Sequence, residues 1–240
     1  MKKDTLPLQA AITQYMPYLI EIRKRLLFIV AFFLIGASVG FIFFEPIIKA
    51  VMKFYNLKGL NIVFTSPFQF INISINSAIT IGIMTAFPLI IYQLISFLKP
   101  ALREQEYKLL LSSIPASLFL FIAGFGFGSW MMKFVVSIFS RQSSSLNVQN
   151  LWDIENFLQN IFMTSLFMGI LFQFPVIMTP LIRLKVIKYQ TLVDSRLTIY
   201  LALLILTVLM PATDIVSDAL IFFPLAFLFE ITLLLNRKYR

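Results

Sequence analysis

The chain has 240 residues, 59% of them hydrophobic and only 13% charged, with a mean hydropathy of +0.88. A soluble domain carries about 25% charged residues, so this composition excludes a water-solvated globule and leaves a chain solvated by lipid and by its own helices. The absence of cysteine and histidine excludes disulfides, zinc and iron–sulfur centres, histidine-ligated haem and Ser-His or Cys-His nucleophiles. No metal, no cofactor and no enzymatic function is therefore expected. The net charge of +9 fits basic loops on one side of a bilayer better than a nucleic-acid surface.

Runs without Asp, Glu, Lys or Arg mark the membrane spans, each needing about 20 apolar residues. The N-terminus lacks the apolar core and cleavage site of a secretory signal, so the first helix is expected to be retained. The first span is read as 26–44, and the second as 68–98, starting after Ser66-Pro67 and carrying Pro88, where a kink is expected. The third, 109–132, holds Pro115 and three glycines, and a polar stretch from Arg141 to Glu155 reads as a loop. The fourth, 156–182, carries Gln173 and Pro175. The last two, 197–210 and 219–236, are short and joined by a tight turn. The expectation is one all-α membrane domain over 1–240 with six transmembrane helices.

Lysine and arginine set the topology: 15 fall at the N-terminus, the second and fourth loops and the C-terminus, against 5 in the remaining loops. Both termini are thus placed on the cytoplasmic, stromal or matrix side. No internal repeat is visible, and spans one to four carry no charge, which argues against a small-solute transporter.

The acidic residues are few enough to consider singly. Glu21 precedes the first span and can pair with Arg25 at i, i+4. Glu104 and Glu106 lie in Pro100-Ala101-Leu102-Arg103-Glu104-Gln105-Glu106. They read as part of a solvated loop, as first-turn carboxylates favoured by a helix dipole, or as acceptors for a cationic peptide. Gln173 lies mid-span and needs a partner or a wet cavity. Asp214 and Asp218 occupy the last turn, where an aspartate can cap the following helix. Glu230 lies near the terminal cluster Arg237, Lys238 and Arg240 and can reach toward that interface. Trp130 and Trp152 read as interfacial anchors.

Leu19-Ile20-Glu21-Ile22-Arg23-Lys24-Arg25-Leu26, and Phe97-Leu98-Lys99-Pro100-Ala101-Leu102 followed by Glu106, resemble the TatC family of twin-arginine protein translocases. Pro46, Ser66-Pro67, Phe172 with Pro175, Pro211 with Asp214, Pro224 and Glu230 agree in order and spacing. The resemblance implies a receptor for signal peptides bearing two adjacent arginines on folded cargo, driven by the protonmotive force. It places Glu21, Glu106, Arg23 and Phe97 at the signal-peptide site, and Gln173, Asp214, Glu230 and Pro46 among intramembrane polar or partner contacts. It also implies TatA-like and TatB-like single-span partners and a homo-oligomer within a larger complex in the lipid bilayer. Two positions depart from the family pattern: Gln173 stands where a glutamate is usual, and Ala212-Thr213 interrupt Pro-Pro-Asp. The Phe, Ile, Lys and Asn content suggests an AT-rich genome. It leans toward a mitochondrial inner or plastid thylakoid membrane ahead of a bacterial cytoplasmic one.

Overall fold

A computed structural model describes residues 5–55, 61–145, 151–209 and 215–239 of the chain. Helix α1 (Thr5–Ile42) starts well before the expected span because Arg23, Lys24 and Arg25 ride on it instead of preceding it. Charge fixes where a helix meets the interface, and the backbone hydrogen bonds continue through it. The part apolar enough to cross a membrane is Tyr18–Ile42. Pro46 has no N–H to offer the Ile42 carbonyl, and its ring crowds that oxygen, so α1 stops at Ile42.

Helix α2 (Phe44–Tyr55) follows at once, in a stretch read from the sequence only as a connecting loop. Ile47, Ile48, Val51 and Met52 pack on the core while Lys49 and Lys53 stay exposed. The Tyr55 hydroxyl donates to the Ser129 carbonyl at 2.8 Å, pinning α2 to the third span. Strand β1 (Asn61–Val63) then pairs in parallel with β2 (Leu151–Asp153), Ile62 opposite Trp152. These short strands lead into α3 (Gln69–Leu98) and α6 (Ile154–Leu171), which therefore start from a common level.

Antiparallel packing of α1 on α3 depends on Gly40, where a Cβ would lie 3.0 Å from the Ala78 Cα and the Ser77 carbonyl oxygen. The third span is jointed. Helix α4 (Glu104–Ser112) gives way at Ser113 to α5 (Ile114–Ser145), because Pro115 cannot donate to the Leu111 carbonyl. Helix α5 runs past residue 132 into the stretch expected to be loop from Arg141. The fourth span also breaks: α6 ends at Leu171, four residues before Pro175, and α7 (Phe174–Arg183) continues it.

A left-handed turn at Lys185 (φ 58°) leads to the short α8 (Tyr189–Asp194) and then α9 (Arg196–Val208). Helix α10 (Ile215–Leu235) begins four residues before the expected span, so Asp218 lies inside its first turn. Among the described residues five helical segments are long and apolar enough to cross a membrane. The fifth expected span in chain order, α9, has 13 residues; at 1.5 Å per residue it covers about 20 Å of a core roughly 30 Å thick. Phe157, Leu158 and Ile161 of α6 meet Met131 and Met132 of α5 and Ile221 and Leu225 of α10 in the main buried cluster.

Candidate functional site

Helical geometry places Glu21 and Arg25 on one face of α1, and the expected pair forms. Arg25 Nε and Nη2 donate to Glu21 Oε1 at 3.0 and 2.6 Å. The third nitrogen crosses to α3, where Nη1 donates to Gln93 Oε1 at 2.7 Å and to the Gln93 carbonyl oxygen at 3.3 Å. The Arg25 side chain is 21% exposed and that of Glu21 40%. Beside them opens a groove of about 710 Å³, lined in part by Glu21, Lys24, Arg25, Tyr92, Gln93 and Ser96.

The same end of α3 carries the second sequence motif. Phe97 is half-buried in its last turn, and Lys99–Ala101 form a 3-10 turn leading toward α4. Lys99 Nζ lies 5.5 Å from the centre of the Tyr107 ring, bracing the corner. Glu106 Oε2 accepts from the Arg103 backbone N–H at 2.8 Å, closing a capping contact over the first turn of α4. Arg23 is exposed. Among the described interactions none joins Glu21 to Glu106; what they share is attachment to the C-terminal end of α3.

The fourth span holds the other notable polar group. Gln173 sits in the α6–α7 break, 3% exposed. Its backbone N–H bonds to the Ile170 carbonyl at 3.0 Å instead of reaching Gly169. Its side-chain Nε2 instead donates to the Gly169 carbonyl at 3.1 Å and to the Ser117 carbonyl at 3.2 Å. Ser117 Oγ donates to Gln173 Oε1 at 2.6 Å. The broken helix is thus repaired by one neutral amide that also ties it to α5.

The model of the family described as Sec-independent protein translocase protein (TatC) matches residues 17–224. The chain belongs to the TatC family. It is 32% identical over 221 residues to the Sec-independent protein translocase protein TatCy of Bacillus subtilis (strain 168), covering 92% of this chain and 87% of that one. It is 28% identical over 219 residues to TatC of Halalkalibacterium halodurans, covering 91% and 87%. Its fold matches the crystal structure of a twin-arginine translocase receptor, TatC, with a TM-score of 0.82 at 23% identity, over 92% of this chain and 98% of that one. This TatC-family chain is accordingly a multi-pass integral membrane protein and a translocase component. Its relatives here are mainly bacterial, which gives the organellar expectation from composition no support.

Within the TatC fold the remaining expected residues scatter. Glu230 of α10 accepts from Tyr200 at 2.5 Å and from Arg196 at 3.3 Å, both on α9, and so closes the final hairpin. Its expected reach toward the terminal basic cluster is replaced by this cross-helix pair. Pro46 is exposed in the first turn of α2, and Asp214 lies outside the described residues. Among the described residues no group of three or more metal-ligating side chains gathers.

Sequence reasoning missed a second carboxylate cluster. Asp153 Oδ1 accepts from the Asn156 N–H at 2.9 Å, capping α6. Its Oδ2 accepts from Thr65 Oγ1 at 2.5 Å and from Gln69 Nε2. The Asn156 amide, followed by the Thr65 hydroxyl, holds the Asp153 carboxyl below the usual carboxylate range. The legible signal was Asp153 three residues before Asn156, at the start of an apolar run. Gln93 was missed too, although it is the one amide in the C-terminal half of a span free of charge.

Proposed function

We propose that this chain is the core subunit of a twin-arginine translocase that receives signal peptides bearing an Arg-Arg pair. The observation that carries this reading is the Glu21–Arg25 contact: a carboxylate at the basic end of α3 already accepts two guanidinium N–H groups, beside a groove with room for a peptide. Glu106 supplies the second acceptor, with Phe97 and Arg23 flanking the peptide. Two guanidiniums need two carboxylates, and a lysine ammonium lacks the planar fork that holds each arginine in place.

The rest of the assembly follows from family membership and charge. The chain is one membrane domain crossing six times, with α9 as the short fifth span and both termini on the cytoplasm-like side of an energy-transducing membrane. Folded cargo moves at the expense of the protonmotive force, and the wide path it needs is completed by TatA-like and TatB-like single-span subunits and further copies of this chain. Glu230 and Asp214 on the short final hairpin, with Pro46 at the α1–α2 joint, are the partner contacts in this reading. The closed hydrogen bonding of Gln173 supports an interhelical role there.

The test is photo-crosslinking and binding of an Arg-Arg signal peptide, against the same peptide with Lys-Lys, on wild type, Glu21→Ala and Glu106→Ala. Each variant should weaken Arg-Arg capture about tenfold or more at unchanged protein abundance. Undiminished capture by both removes the reading.

A further inference from the structure

Glu21 stands on a flexible side chain at the edge of a groove, yet a receptor for guanidinium groups gains most from a carboxylate held still before the ligand arrives. Both bonds from Arg25 land on one oxygen, Oε1. A carboxylate offers about four lone-pair sites, two on each oxygen, and among the described interactions none uses Oε2, which keeps its acceptor capacity. Arg25 in turn is held from the far side: Nη1 is fixed on α3 by the Gln93 side chain at 2.7 Å and by the Gln93 carbonyl oxygen at 3.3 Å. All three guanidinium nitrogens are engaged, and the side chain is about half as exposed as the one it supports.

We propose that Arg25, braced by Gln93, is a positioning residue that fixes the Glu21 carboxylate through Oε1 and presents Oε2 to an incoming guanidinium. The proposal rests on the signal-peptide reading above. It removes rotamer freedom from Glu21 before binding, so that the ligand does not have to order it. It also explains how a cation beside the acceptor can aid a cationic ligand. In a purely electrostatic site Arg25 would repel the peptide; as a strut it spends its charge on one oxygen and orients the other. A fixed oxygen rewards a planar fork that meets it at the right angle, so the strut favours arginine over lysine.

The sign of one substitution separates these roles. Arg25→Gln lowers the local positive charge, so electrostatics or competition for Glu21 would make the Arg-Arg peptide bind more tightly. Positioning predicts that it binds about three- to tenfold more weakly. Gln93→Leu leaves net charge unchanged and should weaken binding to a similar extent, and the double variant should add little beyond either single one. All three should narrow the ratio of Arg-Arg to Lys-Lys affinity, a readout that simple loosening of α1 from α3 would not move. Binding is measured by titrating labelled peptide onto monodisperse, detergent-solubilised full-length protein. Thermal stability is followed alongside.

Tighter or unchanged binding in Arg25→Gln, or weaker binding with an unaltered Arg-Arg to Lys-Lys ratio, overturns the strut. Glu21→Gln in the same titration keeps the two claims apart. If it binds like wild type, Glu21 is not an acceptor and the strut fails with it, and the signal-peptide reading fails too where Glu106→Ala also binds like wild type; if it loses the peptide while Arg25→Gln and Gln93→Leu do not, only the positioning claim fails.

Discussion

Two polar regions of this TatC-family chain are built on opposite plans. On α1 the Glu21 carboxylate is partly exposed and engages its neighbour through one oxygen. Along α6–α7 the polar groups are closed at both ends: Asp153 uses both oxygens at the start of α6, and Gln173 uses both ends of its amide at the α6–α7 break. Burial follows the same division, since half of the most apolar stretch of α6–α7 is buried, against 11% in α1. A polar group that must hold the fold has its hydrogen-bonding atoms satisfied from within, while one that must meet a ligand is held on one side and left open on the other.

The sharpest way to break this contrast is to unpair the closed side. Gln173→Leu leaves the Gly169 carbonyl, the Ser117 carbonyl and the Ser117 hydroxyl without the amide they share. The expected loss is about 1–3 kcal/mol, read as a lowered thermal midpoint in detergent. Gln173→Glu should cost less: a neutral carboxylic acid keeps an acceptor for Ser117 and has one proton to donate where the amide has two. Equal stability of Gln173→Leu and wild type would show that the clasp is not what holds the break.

Next in size is the helix contact that brings the clasp together. A Cβ at Gly128 would lie 2.8 Å from the Ser165 Cα, whereas one at Gly126, two residues away, would meet nothing within 4 Å. Gly128→Ala should therefore destabilise by about 1–3 kcal/mol through overpacking, and Gly126→Ala should be nearly neutral or slightly stabilising. Matched effects at the two positions would mean that α5 and α6 do not approach as closely as the contrast requires.

The legibility of these regions in the sequence differed for physical reasons. Span positions followed from charge-free runs, and 68–98 fell within one residue of α3 because Ser66-Pro67 punctuates its start. Helix α2 was missed since its apolar face, Ile47, Ile48, Val51 and Met52, is interrupted by lysines that look like a loop when only charge is counted. Breaks at Phe43, Ser113 and Gln173 were written in Pro46, Pro115 and Pro175, but only Pro88 was read as a kink, and α3 runs through it unbroken. The Glu21–Arg25 pair was legible because its spacing is local. Gln93 and Thr65, distant in sequence from Arg25 and Asp153, could not be assigned to them without the packing of α1 on α3 and the pairing of β1 with β2.

The smallest expected effect sharpens the comparison at its other closed end, through pH. Asp153 has a carboxyl held below its ordinary range, chiefly by the Asn156 N–H and the Thr65 hydroxyl. For a depressed carboxyl, the unfolded state takes up protons first as pH falls. The contribution of Asp153 is thus fully present above the ordinary carboxylate value and is lost only as pH drops through the lower, folded one. Protection of the Thr65 amide, which bonds to Gln69 Oε1 at 2.9 Å, should therefore hold steady from pH 7 to about pH 5 and fall off only in the acid range below about pH 4. Asp153→Asn should flatten that acid limb and reduce protection at neutral pH by a few-fold at most, because the site is largely exposed and solvent screens it. Hydrogen exchange followed by mass spectrometry on the β1–α3 segment reads both effects. A loss of protection already complete by pH 6 would mean that Asp153 is no more closed than Glu21, and the contrast would then rest on Gln173 alone.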